Sequence, residues 1–391
     1  MRELKNSINV NLENYKVDAK EHKYIDKLSR IESEDKKKML NVGIDTDEKN
    51  RTGTFIQKDK SVIHCKAAQD GIEVTSMTDA VRNHKWLGDY MWKSILPDTD
   101  KFTLYASENP YEGYFIRSLP GINAKDPVQS CLYITKDGFS QNVHNIVIAE
   151  EDSNIHIITG CATAPHLLSG LHVGISEFYV KRGATLIFTM FHDWGEKVNV
   201  RPRTVINVEE GGTIVSNYIF MGSVGSLQMY PTTYLNGKEA VARFNSILVA
   251  RQGSFLDVGS RVVLNAPGSR AEIISRGITT GGSIIARGDL VGKAPGIKAH
   301  LECKGLILDE GLMHAIPELK GFLPGVEMSH EAAVGKMDQR EIEYLMSRGL
   351  DEDEAISTIV RGFLNVDIQG LPDSLKNKLD TLISETQKNM M

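Results

Sequence analysis

From about residue 100 to about residue 335 the chain is built of short runs in which apolar and polar residues alternate. Examples are "GYFIRSLPG", "NIHIITG", "TVINVEEGGTIVSNYIF", "RFNSILVARQGSFLDVG", "RAEIISRG" and "GSIIARGDLVG". A period of two puts alternate side chains on opposite faces, which predicts β-strands. A turn glycine followed by a strand recurs at Gly183, Gly211, Gly225, Gly253, Gly268 and Gly296, with spacings of 28, 14, 28, 15 and 28. A repeat near 14, or its double, suits a coiled β-solenoid whose turns stack on a common interior, and suits an irregular sandwich poorly. The expected class is mainly β: a parallel β-helix with an N-terminal α+β part and a C-terminal helical part. The expected boundaries are 1–100, 101–335 and 336–391.

The ends of the chain have a different texture. "YIDKLSRIESEDKKKML" carries helical spacing at Ile25, Leu28 and Ile31. "MTDAVRNHKWLGDYMWKSIL" carries it at Met77, Ala80, Val81, Trp86 and Leu87. No further helix is expected until about residue 338. There Asp338 with Glu341, and Asp351 with Glu354, have capping-box spacing. The first of these helices is expected to stop at Gly349. Ile356, Ile359, Val360 and Phe363 then fall on one helical face, and a last helix over 373–386 carries Leu375, Leu379, Leu382 and Ile383. Two uses of these stripes stay open: packing on the solenoid or on each other, and docking of a partner.

Composition narrows the class. Of 391 residues, 41% are hydrophobic and 25% charged, and the net charge is −6. That balance implies no general affinity for nucleic acid or anionic membrane. No apolar run reaches the roughly 20 residues that span a bilayer, and the N-terminus has no apolar signal core. The four cysteines, Cys65, Cys131, Cys161 and Cys303, are widely spaced. They are read as free thiols in a reducing cytoplasm rather than as a disulfide framework.

Most catalytic motifs are absent. "GDLVGKA" faintly resembles a phosphate loop, but it is one residue short between its glycines, and Ala294 stands where a magnesium-holding Ser or Thr belongs. An ATP requirement would therefore be met by a partner. What remains are isolated soft and borderline ligands. On "GIKAHLECK" alternation puts Ile297, Ala299, Leu301 and Cys303 on one face, and on "SNIHIITGC" it turns Cys161 inward in the same way. A free core cysteine is usually inert filling, and the residues alone leave that reading open for both. "PGVEMSHEAAVGKMD" gathers Glu327, His330 and Glu331 where solenoid should give way to helix. It is either a solvated loop or, with a thiolate, a ligand set suited to iron or zinc. His314 is a further candidate. The separation of Cys303 and His330 is close to the longer glycine repeat, which would stack them as neighbours.

Several of these stretches, in order, resemble the SufB/SufD family of iron–sulfur cluster assembly proteins. They are "GYFIRSLPGINAKDPVQ", "IITGCATAPH", "ISRGITTGGSIIARGDLVG" with "HLECKGLILDE", and "MSHEAAVGKMDQREIEYLMSRGLDEDEAISTIVRGF". The last is the most specific, and the likeness runs from about residue 110 to 364. It implies a right-handed parallel β-helix and a dimer through the β-helices, either a homodimer or a heterodimer with a SufD-like paralogue. It also implies a SufC-like ABC-type ATPase docked on the C-terminal helices through Ile356, Ile359, Val360 and Phe363. Carried over, Cys303 matches the scaffold cysteine, His330 and Glu331 match the His-Glu pair beside it, and Cys161 matches a sulfur-accepting cysteine. The implied role is a scaffold, not an enzyme, that holds a transient iron–sulfur cluster between a sulfur donor and apo-protein acceptors. ATPase activity is then expected in the partner. The chain departs from the pattern in three places. Its Gly160–Pro165 element is one residue longer, Met328 stands where SufD-type chains often have cysteine, and the cysteine-rich N-terminal motif of many SufB chains is absent. Cys303 and Glu331 together make it SufB-like, a compact form able to pair with itself. The rivals are a SufD-like structural partner that carries no cluster and a β-helix enzyme acting on carbohydrate. The mixed Lys, His and Glu of the outward face near Cys303 fit the second poorly.

Overall fold

The computed structural model describes residues 9–110, 112–308 and 310–364. The helix expected over 373–386 lies outside them. The alternating runs form a parallel β-solenoid of about 8 turns. Its walls are a ten-stranded and an eleven-stranded sheet. The register explains the glycine repeat. Thr213 pairs with Val241, Val241 with Arg270, and Arg270 with Lys298, so one full turn matches the longer glycine spacing and its length varies by a single position. Half a turn contributes one strand to one sheet.

The corners explain why glycine marks the repeat. Gly183, Gly211, Gly268 and Gly296 have φ between 64° and 71°, a left-handed conformation that costs glycine no Cβ clash. The Gly183 amide donates to the Glu210 carbonyl, and the Gly211 amide to the Lys238 carbonyl, both at 2.9 Å, so the corners stack as a hydrogen-bonded column. Asp152 and Glu239 hold the same left-handed conformation in that column without being glycine.

Inward side chains from both sheets make one long core that contains Cys161 and Cys303. A second apolar cluster lies on the outer face of the ten-stranded sheet. Helix α1, Ser33–Asn41, covers one end of it through Met39. Helices α2, Met77–Asn83, and α3, Lys101–Glu108, pack on the outer face of the other sheet. Helix α3 escaped the periodicity reading because it has only two turns, and its capping box joins Asp100 to Thr103 instead of to a Glu or Gln. The expected boundary near residue 100 is not a break in the sheets. Strand Gly53–Lys58 pairs with Val128–Ile134, and Ile72–Ser76 pairs with Tyr114–Ser118, so the N-terminal part supplies the first strands of both walls.

Of the two expected C-terminal capping boxes, only the second is reciprocal: at the first, Asp338 accepts the Arg340 amide and Glu341 does not reach back. Helix α4, Gln339–Ser347, is capped by Asp338, and Gly349 follows it at φ 100°. Helix α5, Glu352–Leu364, is preceded by a reciprocal box. The Glu354 amide donates to Asp351 Oδ1 at 2.7 Å, and the Asp351 amide to Glu354 Oε2 at 3.1 Å.

Candidate functional site

Cys303 lies on strand Lys298–Ile307, hereafter the cysteine strand. Ala299, Leu301 and Cys303 are buried and point inward, while His300, Glu302 and Lys304 point outward. Burial pushes the Cys303 thiol up to about 11. The Arg276 charge opposes that shift and Glu302 adds to it. At neutral pH the buried group is therefore a thiol, not a thiolate.

The last strand of the ten-stranded sheet is Glu327–Lys336, the terminal strand. Among the described residues it is hydrogen-bonded in the sheet only to the cysteine strand, so its other edge is free. This turn is one position longer than the turn before it, since Lys298 pairs with Glu327 whereas Arg270 pairs with Lys298. Cys303 consequently pairs with Ala332, and His330 pairs with Leu301. The near-repeat spacing thus leaves His330 two positions short of Cys303 and not directly beside it. Both still belong to the inner face, because in-register neighbours in a sheet share a side. Glu331 pairs with Glu302 on the outer face and lies 3.8 Å from Lys304. Glu302 is itself held by Lys304 at 3.2 Å and by Arg276. Glu327 pairs with Lys298 at 3.2 Å.

The remaining candidates lie apart. His314 is on strand Leu312–Gly321 of the opposite sheet, paired with Ile285 on its outer face, so it does not share the Cys303 side of the wall. Cys161 is buried on the inner face, as alternation requires, and burial raises its thiol well above the ordinary value. Its register partners are Leu132 and His192, and His192 Nδ1 lies 2.9 Å from the Tyr218 hydroxyl. Among the described residues no three His, Cys, Asp or Glu side chains are close enough to hold a metal ion. The expected docking stripe is largely covered by the chain itself. Val360 is buried in the outer apolar cluster, Ile356 and Phe363 pack against it, and Ile359 is half-buried. The exposed large apolar side chains of the helical pair are instead Tyr344 and Met346 of α4.

Met313 was missed by motif reading. It is buried on the inner face of the opposite sheet, and its thioether fills the space beside Gly277 and Gly305. A Cβ on Gly305 would stand 2.1 Å from Met313 Sδ. The available signal was two glycines at the same inward position of successive turns, next to Cys303. Gly305→Ala is expected to cost about 1–3 kcal/mol of stability, because the flexible thioether must swing aside. Urea unfolding reads it, and a neutral effect would show that the notch is loose.

Comparison with known proteins bears on this geometry. Residues 132–363 match the family described as "SUF system FeS cluster assembly, SufBD core domain". The chain belongs to the SufBD family. The matched region covers the solenoid from its early turns through α5, including both strands of the candidate site. An iron–sulfur cluster assembly SufBD family protein of Archaeoglobus fulgidus is 50% identical over 91% of this chain and 96% of its own length. One of Methanothermobacter thermautotrophicus (strain Delta H) is 47% identical over 97% of this chain and 95% of its own. The iron–sulfur cluster assembly protein SufB of Bacillus subtilis is 28% identical over 87% of this chain and 75% of its own. This SufBD protein thus belongs to a family involved in iron–sulfur cluster assembly. No helix of the described residues is long and apolar enough to cross a membrane.

Proposed function

We propose that this chain is a scaffold on which an iron–sulfur cluster is built and from which it is passed on. The observation that carries the reading is the position of Cys303. It is a buried thiol one strand from a free sheet edge, on the inner face it shares with His330. Iron is here cargo, and Cys303 is its thiolate ligand. His330 and Glu331 supply nitrogen and oxygen ligands, which are more easily displaced than a second thiolate when the cluster must leave. Cys161 is assigned to sulfur entry. A donor persulfide transfers its outer sulfur to the Cys161 thiol, forming a new S–S bond and releasing the donor as a thiol.

The free edges of the terminal strand and of Leu312–Gly321 lie at one end of the solenoid, where Leu312, Phe322, Leu323 and Val334 are exposed. Unpaired edges beside exposed apolar side chains suit a second β-helix, either a copy of this chain or a SufD-like paralogue. A SufC-like ABC-type ATPase would then meet α4 through Tyr344 and Met346, because the α5 stripe is occupied. ATPase activity belongs to that partner, and the chain itself is not an enzyme in this reading.

Anaerobic reconstitution with iron and sulfide is expected to give an iron–sulfur absorption band that Cys303→Ala loses. Unchanged iron and sulfide binding by that variant would remove Cys303 from the ligand set. The placement of Cys303 and Glu331 on opposite faces also suits the rival reading, a SufD-like structural subunit. Iron binding seen only when a paralogue is added, with Cys303→Ala silent, would favour it.

A further inference from the structure

Two sulfur atoms come together in the last turns of the solenoid core. Cys303 is fully buried, and no described residue hydrogen-bonds its thiol. Cys65 differs, because its thiol donates to the Val74 carbonyl at 3.2 Å. Met313 enters the same core from the opposite wall. Its Sδ occupies the notch left by two glycines, 2.1 Å from the place of a Cβ on Gly305 and 3.2 Å from the place of one on Gly277. Those glycines pair with each other in register, and Gly305 is the next inward position after Cys303. Inward positions of one strand follow each other at about 6.6 Å, two residues of rise. Thiol and thioether are therefore neighbours in one recess.

The rest of the recess is small or apolar. Ser275 and Ala332 are the register partners of Cys303, and Leu301 and Ile284 are buried beside it. Donor type and charge then select an ion. A thiolate and a thioether are the soft pair that suits copper(I). One thiolate with one monovalent ion makes a neutral unit, which an apolar interior accepts. A divalent ion on the same two atoms would leave a full positive charge buried without a partner, which interiors avoid.

We propose that Cys303 and Met313 form a two-sulfur site for copper(I) inside the last turns of the solenoid. Binding forms one bond from copper to the Cys303 sulfur, whose proton leaves to solvent, and one to the Met313 thioether. No electron moves, since the metal arrives as copper(I). Both sulfurs belong to one chain, so the site exists whether or not a second β-helix lies on the free edges. Its consequence rests on the scaffold reading. Copper(I) and iron exclude each other at Cys303, so copper occupancy shuts the assembly site.

The test is copper(I) titration of the whole reduced chain without oxygen, with bicinchoninate as the coloured competitor. The wild type is expected to hold about one copper(I) per chain against it. Cys303→Ser should lose that equivalent. Met313→Leu keeps the volume and apolarity but not the sulfur, and should bind at least about tenfold more weakly. A Cys303→Ser chain that keeps the equivalent, or a Met313→Leu chain that binds as tightly as the wild type, overturns the proposal. X-ray absorption on the copper-loaded wild type gives a second reading that needs no substitution. A first shell of two sulfurs is expected, and a shell containing nitrogen or oxygen is a contrary result. Neither measurement uses iron or sulfide. A failed copper site and a failed iron-ligand assignment are therefore told apart, the latter by the Cys303→Ala reconstitution alone.

Discussion

Glu177→Ala is expected to lower folding stability by about 3–5 kcal/mol, the range for breaking a buried charged network by removing one member. Glu177 is fully buried on the strand Gly170–Val180. Its carboxylate accepts the backbone amides of Trp92, Lys93, Ser94 and Ile95, at 2.5, 3.0, 2.6 and 3.2 Å. It also lies 2.9 Å from His144 Nε2. Burial pushes this carboxyl up, but the His144 bond and the backbone donors together outweigh burial and hold it below the usual glutamate range. Alanine leaves four amide donors and an imidazole without their acceptor. The segment that leads from α2 to α3 then loses its anchor on the eleven-stranded sheet. Glu177→Gln keeps an acceptor oxygen and should fall between the two. Urea unfolding measures the series, and a loss below about 1 kcal/mol in the alanine variant would show that the segment is held by its apolar contacts instead.

Acid should unfold the protein well before its carboxylates are fully protonated. Burial lowers His156 to about 4, with Arg51 adding to the shift, and lowers His172 to about 3. His192 is pushed down in the same direction by burial and by its neighbour His172. All three are neutral in the fold and take up protons near 6.5 once unfolded. Their contribution is fully present above about pH 6.5 and is lost as pH falls toward 4 and 3. For His156 and His172 together the loss between pH 7 and pH 5 is on the order of 4 kcal/mol, at about 1.4 kcal/mol per pH unit and group. His172→Gln, which keeps a polar group near Gln141, removes one of three such groups and should flatten the profile by about a third. A stability that stays level between pH 7 and pH 5 would show that these rings find proton acceptors or water on opening.

The candidate site was only partly legible in the residues. Alternation on "HLECK" was enough to turn Cys303 inward, and alternation on "NIHIITGC" did the same for Cys161. Both follow from a strand period of two, which is a property of the local backbone. The position of His330 did not follow in the same way. Its offset from Cys303 depends on how much chain the intervening corners absorb, and here they lengthen the turn by one position over its predecessor. The side taken by Glu331 then follows from that register by parity. The α5 stripe was legible as an apolar face, but its partner was not. Val360 is buried because the chain returns across the outer face of the sheet, where it meets side chains such as Ile278 and Leu306.

The repeating strands, the left-handed corners, the inward cysteines and both C-terminal helix caps were all written in the residues. Each depends on one strand, one turn or one helix end, where backbone geometry and short-range hydrogen bonds act. Long-range packing alone chose which turn faces which, that strands of 53–76 open the solenoid, and that Glu331 and Cys303 stand on opposite sides of one wall. Those outcomes depend on contacts between residues far apart in the chain. No local pattern records how the corners set the register or which apolar face the returning chain covers.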